Sequence, residues 1–126
     1  MIYEIETTKK PEEIVNIFEE KAKEKGFGTL HSYNVHKLLE EKGHPIEEEV
    51  YIFEICNPSY AKQALTKESK VACFLPCRVA IYTKGGKTVI STMEPSSMSQ
   101  VFGESISDIA NEVDKIIKDI VQELAK

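Results

Sequence analysis

The chain has 126 residues, 41% of them hydrophobic and 29% charged, and a formal net charge of −5. That length suits a single domain over residues 1–126 with an apolar core of its own, and the composition excludes intrinsic disorder. Basic residues are interleaved with acidic ones, as in Glu19-Glu20-Lys21-Ala22-Lys23-Glu24-Lys25, so no cationic stripe exists to neutralise phosphates and nucleic acid is not an expected partner.

Residues Ile2 to Thr7 alternate in polarity, the period of a first strand. Pro11 then suits a first helical position, Glu12 and Glu13 favour a helix N-terminus, and Ile14, Ile17, Phe18 and Ala22 share one helical face before Gly26 stops the helix. From Phe27 to Tyr33 the pattern returns to strand. Asn34 caps a short helix whose expected buried stripe is Val35, Leu38 and Leu39, ending at Gly43. Acidic Glu47-Glu48-Glu49 reads as solvated surface. Val50 to Cys56 is a strand with Tyr51, Phe53 and Ile55 on one face and Val50, Ile52, Glu54 and Cys56 on the other, expected to be covered on both sides.

Asn57 and Pro58 supply a cap and a first-turn proline for a helix carrying Ala61, Ala64 and Leu65. Cys77 to Thr83 and Lys87 to Met93 flank Lys84-Gly85-Gly86 and predict a hairpin. Glu94 to Gly103 reads as a polar, mobile connection. Ser105 and Asp108 stand near capping-box spacing, and Ile106, Ile109, Ala110, Val113, Ile116, Ile117, Ile120, Val121 and Leu124 form the stripe of a long terminal helix.

This order predicts an α+β fold: an antiparallel sheet with helices mainly on one face. If the other face carries Val50 and Ile52, a twofold homodimer is the simplest way to keep them from water. No apolar stretch nears the roughly 20 residues of a membrane-spanning helix, so no membrane partner is expected. The N-terminus lacks the marks of a secretory signal, and three cysteines, an odd number, do not suit a secreted disulfide framework. Both readings point to the cytoplasm.

The segment Glu54-Ile55-Cys56-Asn57-Pro58, then Ala61 and Ala64-Leu65, then Leu75-Pro76-Cys77-Arg78-Val79-Ala80-Ile81-Tyr82 followed by a glycine turn, resembles the bacterial and archaeal family called domain of unknown function 302 (DUF302). The likeness extends over nearly the whole chain, including Thr7-Thr8 and Gly26-Phe27. It implies an arrangement like that of the TATA-binding-protein fold group, commonly dimeric, with no settled biochemical role. DNA binding does not transfer with a fold. Cys73 stands where an aliphatic residue is more typical of the family.

The candidate ligand-binding residues are Cys56, Asn57, Pro58, Pro76, Cys77 and Arg78, which end or begin strands beside a helix cap. The leading expectation is a pocket there for a small molecule. The alternative is thiol redox or sulfur-transfer chemistry, with Cys56 as nucleophile at a helix N-terminus that can lower its pKa and Cys77 or Cys73 as resolving thiol. Each cysteine also has a structural reading as a small buried hydrophobe. Arg78 can grip an anion or simply face solvent. The spacing of Cys73 and Cys77 fits neither a C-x-x-C redox motif nor a common zinc site, and His31, His36 and His44 stand at no ligand spacing, so no metal is expected. Met93 and Met98 serve as packing elements or, more rarely, as soft ligands or a flexible apolar lid. Nothing in the sequence identifies a cofactor.

Overall fold

Alternating polarity over Ile2–Thr7 produces strand β1 in the computed structural model, which describes residues 1–126; Tyr3, Ile5 and Thr7 turn inward while Ile2, Glu4 and Glu6 stay exposed. Helix α1, Pro11–Glu24, starts on its proline, carries Glu12 and Glu13 in its first turn, and buries Pro11, Ile14, Phe18 and Ala22. Gly26 ends it at φ +84°, where only glycine is unstrained, and the Phe27 amide reaches back to the Ala22 carbonyl at 2.9 Å. Strand β2, Gly28–Asn34, leads into α2, Val35–Glu41, with the Asn34 side chain accepting from the Lys37 amide at 3.0 Å.

The expected stripe of α2 is not a buried one. The helix buries no residue, and Leu38 is 44% exposed, because seven residues at the edge of the sheet reach no second layer. Strand β3, Val50–Cys56, passes to α3, Pro58–Lys67, and a 3₁₀ segment over Ser69–Phe74 follows. In α3 Ala64 is buried while Leu65 is 37% exposed, so the packing face is the small-residue one.

Strands β4, Cys77–Lys84, and β5, Lys87–Met93, close the expected hairpin through Gly85 and Gly86, both at positive φ as a two-residue hairpin turn requires. The stretch after β5 is helical where a loop was expected: a 3₁₀ turn over Pro95–Ser97 and helix α4, Met98–Phe102. A further 3₁₀ turn, Glu104–Ile106, runs straight into α5, Ser107–Ala125. That turn displaces the expected capping box: Ile106 takes the cap position without a side-chain hydrogen bond.

The five strands are antiparallel in the order β1-β5-β4-β3-β2, so α1 connects the two edges of the sheet. Helices α1 and α5 cover one face. Phe18 stacks on Phe53 with ring centroids 3.9 Å apart, and Ile117, Ile120, Val121 and Leu124 of α5 are wholly buried. The opposite face corrects the expectation that β3 is covered on both sides. Val50 and Ile52 are only half-buried there, beside Tyr82 and Ala80 of β4. Polar side chains cross the same face: Arg78 pairs with Glu54 at 3.1 Å and Lys87 with Glu6 at 3.3 Å.

Candidate functional site

The end of β3 and the start of β4 meet at one end of the sheet, with Ile55 directly opposite Cys77. Beyond Cys56 the chain turns into α3 at Asn57, whose side chain makes two bonds. Its Oδ1 accepts from the Tyr60 amide at 3.1 Å, and its Nδ2 donates to the Gly26 carbonyl at 2.9 Å. One residue thus starts α3 and ties it to the end of α1. A methyl group on Gly26 would sit 3.3 Å from that Nδ2, so glycine suits this corner for contact as well as for backbone conformation. Asn57→Ala is expected to lose about 1–2 kcal/mol in urea unfolding, with Asn57→Ser recovering part because it keeps the cap alone. Equal losses for both variants would show that the cap contributes nothing.

Beneath α3 lies a cavity of about 40 Å³, with fourteen of its fifteen lining residues hydrophobic. Cys56, Asn57 and Cys77 border it together with Ile55, Tyr60, Ala61, Ala64, Val71, Ile106 and Ala110. Asn57 is the polar exception, and its amide is already committed on both sides. Water would therefore find few partners inside. The space exists because α3 and α5 present alanines, Ala61, Ala64 and Ala110, toward one another.

An open groove of about 340 Å³ lies on the far side of Cys77 and Met98, which border both spaces. Pro76, Arg78 and Cys73 line this groove and not the cavity. Pro58 lines neither, serving as the first residue of α3. Five of the six candidate residues thus line two adjacent concavities, Cys77 bordering both. Arg78 is engaged by Glu54 through both Nε, at 3.2 Å, and Nη2, at 3.1 Å.

The helix N-terminus does not activate Cys56. Pro58 has no amide hydrogen and Asn57 takes the Tyr60 amide, so burial prevails and pushes the Cys56 thiol up. Burial, followed by the charge of Cys56, pushes Cys77 up to about 11. Cys73 is exposed, and all three thiols are free. Iodoacetamide mapping at pH 8 is expected to label Cys73 first and Cys77 last, since at a pKa of about 11 roughly one Cys77 in a thousand is thiolate. Labelling of Cys56 ahead of Cys73 would contradict this.

The segment over the groove is held by charge. Lys118 of α5 bridges Asp114 and Glu94, each at 2.7 Å, and the Ser96 amide donates to Asp114 at 3.1 Å. Hydrogen bonds from Lys118 and the Met1 amine hold the Glu94 carboxyl below its ordinary value. Burial pushes Asp114 upward, but the bonds from Lys118 and Ser96 outweigh it and its carboxyl also lies low. A depressed carboxyl adds stability that is full above its unfolded pKa, about 4, and is lost as pH falls through the folded value. Melting temperature is expected to drop in that acid range, less steeply in Asp114→Asn. An unchanged slope would remove Asp114 from the acid response.

No three His, Cys, Asp or Glu side chains come together as a metal-binding group, and no helix is long and apolar enough to cross a membrane. Sequence reasoning missed Tyr60, Val71 and Ala110 at the site, while Met98, named there as a packing element or soft ligand, stands in its wall. The signal available was the small-residue face shared by α3 and α5.

Comparison with known proteins agrees with the architecture. The crystal structure of an uncharacterized conserved DUF302 protein from Bacillus stearothermophilus superposes with a TM-score of 0.91 at 27% identity, covering 99% of this chain and 98% of that one. No curated protein matches. The family model described as domain of unknown function DUF302 matches residues 3–124, and the chain belongs to that family.

Proposed function

We propose that this chain is a single-domain cytoplasmic protein that binds a small ligand beneath α3, at the junction of the Cys56-Asn57-Pro58 and Leu75-Pro76-Cys77 segments. The observation that carries the reading is the apolar cavity bordered by Cys56, Asn57 and Cys77. About 40 Å³ is little more than the roughly 30 Å³ share of one water and well below the roughly 150 Å³ of a benzene-binding cavity, so it accommodates about one or two heavy atoms before any wall side chain moves. The occupant is therefore a small hydrophobic molecule or the apolar end of a larger one. Met98, unbranched and flexible, stands in the wall toward the open groove and is the side chain best suited to yield to an incoming ligand.

The same proposal includes a homodimer formed through the uncovered sheet face. Half-buried Val50, Ile52 and Ala80 support it, because a second copy would remove them from water.

Two measurements test these statements separately. Thermal-shift titration with small hydrocarbons, from cyclopropane to benzene, is expected to show saturable stabilisation that is greatest for the smaller members. Stabilisation that rises with hydrocarbon size without saturating would indicate surface partitioning and sink the cavity reading. Size exclusion with light scattering is expected to give twice the chain mass, and a monomer at all concentrations would remove the dimer.

A further inference from the structure

The chain has three cysteines and three methionines, and four of these six sulfur atoms belong to residues lining the open groove. Four separate segments deliver them: Cys73 from the 3₁₀ segment, Cys77 from the start of β4, Met93 from the end of β5 and Met98 from the start of α4. Such a set is soft throughout. Thiolate and thioether ligands favour Cu(I) and similar ions, whereas harder cations need carboxylate or imidazole donors. Those harder donors are missing as a group, and the carboxylate on the groove wall, Glu94, is already bonded to Lys118.

We propose that this groove binds one soft monovalent cation, Cu(I) in kind, through the thiolates of Cys73 and Cys77 with the thioethers of Met93 and Met98 completing the site. On binding, two S–H bonds break and two protons pass to solvent, while two thiolate–metal bonds and two dative thioether–metal bonds form. No electron is transferred. The two thiolates and the cation together carry one negative charge, and Arg78, though paired with Glu54, is the cationic side chain on the groove wall. Cys73 is exposed, which gives the ion a way in from solvent. The site shares Cys77 and Met98 with the wall of the apolar cavity but does not rest on that cavity's having a ligand.

The test is an anaerobic titration of the reduced protein with Ag(I), a redox-inert stand-in, read by native mass spectrometry and by competition with a soluble thiol chelator. One silver ion per chain is expected to resist the competitor, while Zn(II) is not retained. Cys73→Ser, at an exposed position where folding is not at stake, is expected to weaken silver binding roughly a hundredfold, and Met93→Leu with Met98→Leu roughly tenfold. The proposal is overturned if either variant holds silver as tightly as the parent, if zinc is held equally well, or if no single silver ion survives competition.

Discussion

Phe18→Ala is expected to lower the unfolding free energy by about 3–5 kcal/mol, measured as a shift in the urea midpoint at unchanged slope. Phe18 is wholly buried and lies on Phe53 with centroids 3.9 Å apart, so truncation removes both the transfer energy of the ring and an aromatic pair. The neighbours cannot close the gap cheaply. Phe18 belongs to α1, which must connect β1 at one edge of the sheet to β2 at the other, while Phe53 sits in β3 under fixed pairing to Val79. Because a domain is stable by only about 5–15 kcal/mol, a loss of this size places the variant near the threshold of folding. A loss below about 1 kcal/mol would mean that α1 settles onto the sheet without the ring, contrary to the packing described here.

Ala110→Leu is expected to abolish hydrocarbon binding, reducing affinity by roughly a factor of ten or more while leaving the fold intact. Ala110 is 2% exposed and borders the cavity from α5. Leucine adds three carbons where the free space is about 40 Å³, so the side chain itself becomes the occupant. Leucine is a strong helix former, so the backbone of α5 is not compromised. Three carbons exceed that space, so overpacking is expected to cost about 1–3 kcal/mol and lower the melting temperature by several degrees without unfolding the protein. Unchanged hydrocarbon titration in a folded Ala110→Leu protein would mean that binding occurs somewhere else.

The features legible in the sequence were those set by local chemistry. The Gly85-Gly86 turn, the Asn34 and Asn57 caps and the apolar stripe of α5 each carry their signal within a few residues, and each stands where expected apart from Ile106, which lies in the 3₁₀ turn before the helix, and a half-buried Ile116. The failures share a cause too. Leu38 looked like core because its spacing is helical, but spacing does not say whether a second layer is within reach. The alternation of β3 suggested two covered faces, yet nothing local says which face meets helices.

The segment after β5 looked mobile because serine and methionine carry no strong pattern. Its order comes from Asp114 and Lys118 of α5, about twenty residues further along the chain. The site was legible by half. Cys56, Asn57 and Cys77 were found through their motifs, whereas Ala110, Val71 and Met98 reach it only through tertiary packing. The Cys56 thiol shifts the opposite way from the helix-dipole expectation because burial prevails at a helix start where Pro58 has no amide hydrogen and Asn57 takes the Tyr60 amide.

The most direct measurement of the central statement, that a compact apolar ligand occupies the cavity beneath α3, is a methyl-resolved NMR titration with dissolved xenon. Xenon enters dry apolar cavities and has no polar interactions to draw it elsewhere. Saturable shifts confined to the methyl groups of Ile55, Val71, Ile106, Ile109 and Ala110, all bordering the cavity, are the predicted result. Small, linear shifts spread over the exposed methyls of Ile2, Leu30 and Val101, with the cavity methyls unmoved, would contradict it.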